Sequence, residues 1–327
     1  MLIPIYLILP DSGDLKILSE EFLRGFNFAI KGEFEYVIID EDPDTNISFS
    51  EIYKAIINKN PKIVIGPILN KNQRISAELS MRNKVIQIIP ITYDVFLGTY
   101  GNYVFPFNFK TYISLLKFLE IARQKGDTNF VLLYENTING LSIKKFLDSQ
   151  IGVPTIAIKN NKVAEASIVE IMKDIKDYNS ILFSDGGINS VNTYLNLRKQ
   201  GYKKDVYVFD SWLSSDIFPM IIGFSENLYI VALENISYTS YLLKLDRKYK
   251  FIESYKKLYN TEPTNAALIG YDTGNLVKEA LKSEDIKEFL LKYGVLQGIS
   301  GDYLISKNSE YIKILKLTNN GLEELKW

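Results

Sequence analysis

The sequence predicts an α/β protein made of two similar units, each built on a mostly parallel sheet. Short apolar runs alternate with segments whose apolar residues recur at helical spacing. The alternation stops at residues 99–108 and then restarts, and 327 residues are enough for two domains. Runs that are apolar throughout indicate strands covered on both faces, as in a parallel sheet.

The first unit is predicted to have βαβαβαβ order. Apolar residues such as Phe22 and Phe26 recur at helical spacing after the first strand. Ser48 and Glu51 have the spacing of a capping box, which predicts a helix start. A further helix is expected from about Arg74 to Arg82. The strands are expected at residues 3–9, 36–40, 62–66 and 85–90.

The second unit repeats this plan after residues 99–108, which contain Gly, Pro and aromatic residues. No strict sequence repeat relates the two units. The predicted strands are residues 130–134, 155–158, 180–183 and 206–209, and the predicted helices are residues 140–149, 165–177 and 188–200.

The last third of the chain departs from this plan. A long amphipathic helix is expected from Ser240 to Tyr259, and the stretch AALIGYDTGNLVKEAL, residues 266–281, is expected to form the next helix. We place Asp272 in the first turn of that helix, where a carboxylate suits the helix dipole. The period-two alternation of residues 301–325 predicts a C-terminal β-hairpin.

The amino-acid composition excludes several kinds of function. The chain has no cysteine and no histidine, which excludes Cys nucleophiles, Ser-His-Asp catalysis and His-ligated or Cys-ligated metals. We predict a non-enzyme without a cofactor or metal. The net charge of −1 gives no field that would attract nucleic acid. The apolar start, residues 2–9, lacks a preceding positive charge, so we interpret it as a strand and not as a signal peptide.

Polar loops after the predicted strands are the candidate site, because ligands of parallel α/β sheets bind beyond the carboxyl ends of the strands. Each feature also has a structural explanation. Gly13, Gly66 and the pair Gly186-Gly187 could be strand-end turns, and Asp11 and Asp210 could cap helices. Lys71 could be a solvated surface residue, and Trp212 could be core. The alternating Asp40, Asp42 and Asp44 lack the glycine and distal Glu of an EF-hand, which favours a solvated loop.

The order of several motifs resembles the type I periplasmic ligand-binding proteins, in particular the branched-chain amino-acid ABC transporter receptors that bind Leu, Ile or Val. The similarity covers nearly the whole chain. Its motifs are YLILPDSG with LRGFNFAI, VIGPILNKNQ with VIQIIPIT, YVFPFNF, and YNTEPTNAALIGYDTGNLVKEAL with GISGDYLIS.

This resemblance implies a Venus-flytrap receptor whose two Rossmann-like lobes, joined by three hinge crossovers, close on a small polar, amino-acid-like ligand. It implies lobe 1 at residues 1–108 plus 235–295, and lobe 2 at residues 109–234 plus 296–327. The ligand-binding residues it implies, together with Ser12 from the first polar loop, are Asn70, Lys71, Thr92, Tyr93, Asn139, Asp185, Asp210 and Ser211.

The resemblance also implies where the protein works and with which partners. We expect a monomer on the periplasmic or extracellular side that delivers its ligand to an ABC transporter permease, with no nucleic-acid partner. We further expect that a signal sequence is absent from this chain, and that any membrane attachment was through a lipid anchor that has been lost. Leu69-Asn70-Lys71 stands where the family has Ser or Thr, and Asn139-Gly140 where it often has Tyr-Gly, so the motifs do not name the ligand.

Two alternatives stay open. The segment IGPILNKNQRI is similar to one in the penicillin-binding-protein activator lipoproteins, which share the fold and regulate a cell-wall enzyme by protein-protein contact. That alternative predicts an apolar surface patch and no tight small ligand. The other alternative is an α/β enzyme that works with Asp or Lys, and a strongly perturbed Lys or Asp pKa in the site would favour it.

Overall fold

The computed structural model describes residues 5–43, 46–127, 129–158, 165–184, 186–234, 238–318 and 321–325. The chain forms two compact units and passes from one to the other three times. The first unit comprises Met1–Lys110 and Asn235–Asn308, and the second comprises Thr111–Glu234 and Ser309–Trp327. The predicted α/β class with two sheet-based units is confirmed.

The first unit contains a five-stranded parallel sheet. Its opening elements are β1 (Ile5–Leu9), α1 (Lys16–Ile30), β2 (Tyr36–Asp40), α2 (Phe49–Ile57), β3 (Ile63–Ile65), α3 (Asn70–Asn83), β4 (Gln87–Ile89) and β5 (Val104–Pro106). The strand order is β2-β1-β3-β4-β5. The parallel register, for example Ile5 beside both Tyr36 and Ile63, brings the carboxyl ends of the strands to one edge.

The second unit contains a seven-stranded sheet. Its elements are α4 (Phe109–Gln124), β6 (Phe130–Glu135), α5 (Ile138–Ile151), β7 (Thr155–Ile158), α6 (Glu165–Ile175), β8 (Ser180–Phe183), α7 (Ile188–Lys199), β9 (Asp205–Phe209), α8 (Phe218–Ile221) and β10 (Leu228–Leu233). The buried strands pack on a core that includes Trp212, so the core explanation of Trp212 is correct.

The chain then returns to the first unit before it ends in the second. The returning elements are α9 (Tyr238–Tyr259), α10 (Asn265–Leu281), α11 (Ile286–Lys292), β11 (Val295–Gln297) and β12 (Asp302–Leu304). The antiparallel strands β13 (Ile312–Thr318) and β14 (Gly321–Glu324) extend the second sheet to the order β14-β13-β10-β9-β8-β6-β7. The C-terminal hairpin is therefore confirmed.

The boundaries of that hairpin differ from the prediction. Residues 302–304 pair with 295–297 inside the first unit, and only 312–324 form the hairpin. Residues 296–308, which the resemblance implied for lobe 2, lie in the first compact unit. Strand β5 was not predicted, since it is three residues long and ends in Pro106, and α3 begins at Asn70 and not at Arg74.

Helix α10 packs tightly against α1 through its glycines. An added Cβ on Gly270 would lie 2.1 Å from the carbonyl oxygen of Phe22, and one on Gly274 would lie 2.7 Å from the Ala29 Cβ. This confirms that these glycines allow close backbone approach. The placement of Asp272 in a first turn was wrong, because the Thr264 cap starts the helix at Asn265.

Candidate functional site

The carboxyl edge of the first sheet carries a polar cluster that the prediction partly anticipated. The Ser12 hydroxyl donates to the backbone oxygen of Asp42 at 3.3 Å, and the Lys71 ammonium lies 2.8 Å from the Asp42 carboxylate. Asn70 is exposed beside Lys71 at the start of α3. The structure therefore brings Ser12 and Lys71 together around Asp42, and the side chains of Ser12 and Lys71 remain accessible to solvent.

Thr92 and Tyr93 lie after β4 in the same unit. The Thr92 hydroxyl donates to Gln73 Oε1 at 2.7 Å and accepts the backbone N–H of Asp94 at 3.0 Å. Gln73 is fully buried and donates to the backbone oxygen of Ile91 at 2.7 Å, so it holds this loop against α3. Tyr93 is 52% exposed and is available for contact.

Glu41 is a buried carboxylate that the sequence analysis missed. Its side chain accepts the backbone N–H groups of Ile68 at 3.0 Å and Leu69 at 3.1 Å, and the side-chain amide of Asn72. It thus occupies the N-terminus of α3, where a negative charge is favourable. Burial nevertheless raises the pKa of Glu41 to about 7, and the hydrogen bonds from Ile68 and Leu69 oppose this effect.

Glu135 has the corresponding arrangement in the second unit. It ends β6, is buried, and accepts the backbone N–H of Ser190 at 3.0 Å and the Ser190 hydroxyl at 2.8 Å. The Asn189 amide also reaches it, at 3.3 Å. Each unit therefore places a buried glutamate at the start of the helix that follows the third strand of its sheet in chain order. These helices are α3 and α7.

Small residues are required around Glu135. An added Cβ on Gly187 would lie 2.5 Å from Glu135 Oε1, and one on Gly140 would lie 2.2 Å from the Glu135 backbone oxygen. An added Cβ on Gly186 would lie 2.5 Å from the Ser211 hydroxyl. None of these three glycines has a positive φ. Close approach, and not turn geometry, therefore explains the Gly186-Gly187 pair and the Asn139-Gly140 motif.

The predicted residues of the second unit lie at its carboxyl edge. Asn139 is half-buried in the first turn of α5, and Ser211 is exposed in the short 3-10 turn Asp210–Leu213. Asp210 is half-buried in that turn. Asp185 lies outside the described residues, as does Asp44 of the acidic loop. Gly186 brings the loop after β8 next to Ser211.

Each unit also exposes apolar side chains at this edge. In the second unit Ile138 and Ile188, the first residues of α5 and α7, are 61% and 55% exposed. In the first unit Leu15 and Ile17, at the start of α1, are exposed along with Tyr93. Such side chains at helix starts face water at a free-energy cost that contact with an apolar ligand group would remove.

Asp11 does not cap a helix, which settles one alternative. Leu15 is the N-cap of α1, and Asp11 forms an ion pair with Lys16 at 3.3 Å. Within the described ranges, no group of three acidic residues could hold a metal ion, and no helix is long and apolar enough to cross a membrane.

Comparison with known proteins gives a family and a fold. The model of the periplasmic binding protein family matches residues 3–288. A crystal structure from Rhodospirillum rubrum, of a protein assigned to branched-chain amino acid ABC transport, is 14% identical, covers 99% of this chain and 100% of its own, and superposes with a TM-score of 0.58.

A second solved structure supports the same fold. It is an ABC transporter substrate-binding protein from Desulfitobacterium hafniense, 14% identical, with coverage of 99% and 100% and a TM-score of 0.51. No curated protein sequence matches the chain. Because the family model spans most of the sequence, the chain belongs to the periplasmic binding protein family.

Proposed function

We propose that this protein is an extracytoplasmic solute receptor that captures a small ligand and delivers it to an ABC transporter. The observation that carries the proposal is the kind of side chain found at the carboxyl edge of each sheet. Each unit presents hydroxyl, amide or charged groups beside exposed apolar side chains at the carboxyl edge of its parallel sheet. That combination fits a small ligand with a polar head and an apolar body, such as an apolar amino acid or a related compound.

The contacts in each unit suggest how the ligand is held. Glu41 accepts the N–H groups of Ile68 and Leu69, which lead into α3, and Glu135 accepts that of Ser190 in the first turn of α7. A ligand carboxylate would have to displace a buried glutamate to reach them. We therefore assign ligand contact to side chains that remain accessible. The proposed set of accessible side chains is Ser12, Asn70, Lys71, Thr92, Tyr93, Asn139, Asp210 and Ser211. Asp185, which lies outside the described residues, is proposed from the resemblance alone.

Thermal shift against a ligand panel tests the proposal. Amino acids, short amides and aromatic acids are added to the purified protein, and native mass spectrometry checks its mass for co-purified ligand and for the expected monomer. A ligand at about 100 times its Kd stabilises the fold by about 2.7 kcal/mol. A rise in Tm with one chemical class supports the receptor, and no rise with any class contradicts it.

A pair of tyrosine variants locates the binding site. Tyr93→Ala should weaken ligand binding, because Tyr93 is an exposed side chain at the predicted edge. Tyr249→Ala is the matched control, since Tyr249 is 65% exposed on α9 and lies outside the proposed set. Equal affinities for the two variants would contradict this placement.

A second candidate function rests on α9. Its surface exposes Leu245 and Tyr249, which are four residues apart and so lie on one face of the helix, the kind of apolar exposure that marks protein contact surfaces. On this alternative the protein regulates an envelope enzyme by contact, as the activator lipoproteins do, and binds no small ligand. The same thermal-shift panel separates the two functions, because only the receptor predicts a ligand-dependent Tm.

A further inference from the structure

The second unit contains a cavity at the opposite end of its sheet from Glu135. It lies where α4 ends, where β6 begins and where α5 is followed by Gly152. Its volume is about 190 Å³, and apolar residues form most of its wall. Leu119, Phe130 and Val153 line it and are at most 6% exposed, so the cavity reaches into the buried part of the unit.

Arg123 places hydrogen-bond donors on the solvent-exposed side of this cavity. Its side chain lines the cavity and is exposed, so a molecule in the cavity can reach its guanidinium. Glu120, one turn earlier on α4, does not pair with Arg123, because Glu120 lies 3.0 Å from the Lys117 ammonium. No described residue forms an ion pair with Arg123, which leaves its fork of N–H groups available to an acceptor on a ligand.

The charges around the cavity favour a neutral ligand. Asp127 also lines the wall, but it offers no contact, because its Oδ1 is buried and its Oδ2 accepts the Ser180 hydroxyl. An anion beside Arg123 would also lie near the Asp127 carboxylate, and a cation in the cavity would lie near Arg123. Water gains little there, because the apolar part of the wall gives it few hydrogen-bond partners.

We propose that this cavity binds a small neutral aromatic molecule that carries one hydrogen-bond acceptor, such as an aromatic ketone. The ring packs against Leu119, Phe130 and Val153, and the ketone oxygen accepts a hydrogen bond from the Arg123 guanidinium. An apolar cavity of about 150 Å³ can hold benzene, so this one has room for a ring with one small substituent. The site is separate from the carboxyl edge and does not depend on the proposed receptor function.

Acetophenone is the probe, and 2-phenylpropene is its counterpart of the same shape without the acceptor oxygen. Titration of the full chain is followed by the methyl resonances of Leu119 and Val153, which acetophenone should shift. We expect Arg123→Met to weaken acetophenone about fivefold and to leave 2-phenylpropene unchanged, since only the ketone loses a hydrogen bond. Because Arg123 is exposed, this variant should fold normally. An unchanged acetophenone affinity, or an equal loss for both molecules, would overturn the proposal.

Two further variants and two charged analogues complete the test. Lys145→Met removes an exposed positive charge from α5 and should change neither affinity. Ala122→Leu fills the cavity from its buried wall and should weaken both molecules at least about tenfold. Benzoate and benzylamine should bind more weakly than acetophenone. Tighter binding of either ion, methyl shifts elsewhere, or no acetophenone binding up to about 10 mM would each contradict the site.

Discussion

The Asp272 carboxylate accepts the backbone N–H of Ile299 at 2.8 Å, which ties the middle of α10 to the turn between β11 and β12. The same carboxylate accepts the backbone N–H and the hydroxyl of Ser300. Gly298 completes the turn, because an added Cβ there would lie 2.3 Å from Asp272 Oδ2. The conspicuous Gly-Tyr-Asp-Thr-Gly segment is therefore a packing and loop-anchoring device of the first unit.

Replacing Asp272 by Asn should destabilise the protein by about 2 kcal/mol, because an amide NH₂ group would face backbone donors and leave one unsatisfied in a buried place. Urea unfolding should show a lower midpoint with an unchanged m-value. Asp302→Asn is the control: Asp302 forms a half-exposed ion pair with Lys244, so its loss should cost under about 1 kcal/mol. Equal effects of the two changes would contradict the anchoring role.

Glu41 should make stability depend on pH. Its folded-state pKa of about 7 lies above the usual value of 4.5, so the folded chain binds the proton on the Glu41 carboxyl group more tightly than the unfolded chain does. The stabilisation is complete below pH 4.5 and is lost as the pH rises through 7, by at most about 3 kcal/mol. Urea unfolding at several pH values should therefore show the wild type losing stability between pH 5 and 8.

Glu41→Gln should flatten that profile, since glutamine mimics the protonated acid and cannot ionise. Its curve should lie below the wild type at pH 5, because the glutamine NH₂ group would face the Leu69 and Asn72 donors, and the difference should shrink towards pH 8. Glu51→Gln is the control, because hydrogen bonds from Ser48 lower the pKa of Glu51 and place its titration below this window. Parallel wild-type and Glu41→Gln curves would show that Glu41 does not titrate there.

Much of the fold could be predicted because its signals are local. The apolar runs of β1 to β4 and β6 to β9 and the Ser48-Glu51 capping box each lie within a few residues of sequence, and the box forms as expected. The start of α3 was missed because its first turn, Asn70 to Gln73, is polar and Leu69 supplies no side-chain cap. β5 was missed because three residues ending in proline give almost no strand signal.

The site was harder to predict, since its buried groups depend on distant partners. Glu41 looks like one acid in a solvated DEDPD loop, and only the approach of Ile68 and Leu69 makes it a buried helix cap. Glu135 depends in the same way on Ser190, 55 residues further along the chain. Exposed candidates such as Ser12 and Tyr93 could be located from strand ends, because the edge of a parallel sheet follows from strand direction alone.

Gly270→Ala should disrupt the contact between α1 and α10. A new Cβ at 2.1 Å from the Phe22 backbone oxygen forces the helices apart, and overpacking of this kind costs about 1–3 kcal/mol. The midpoint of thermal unfolding should fall accordingly. Gly223→Ala is the matched control, because nothing lies within 4 Å of its added Cβ and its φ is not positive. A normal Tm for Gly270→Ala would contradict the close packing.

Glu135→Gln should loosen the start of α7. The glutamine oxygen can take over the two Ser190 bonds that Oε1 now accepts at 3.0 and 2.8 Å, but a neutral oxygen accepts them more weakly. Its NH₂ group would face the Asn189 amide, which Oε2 now accepts at 3.3 Å. We expect a loss of about 1–3 kcal/mol in urea unfolding and faster amide exchange at Ser190. Glu234→Gln is the control, because Glu234 only approaches Lys313 at 3.8 Å on the surface of the same unit and should contribute under about 1 kcal/mol. If Glu135→Gln lost stability with unchanged exchange at Ser190, the glutamate would act through packing and not as the cap of α7.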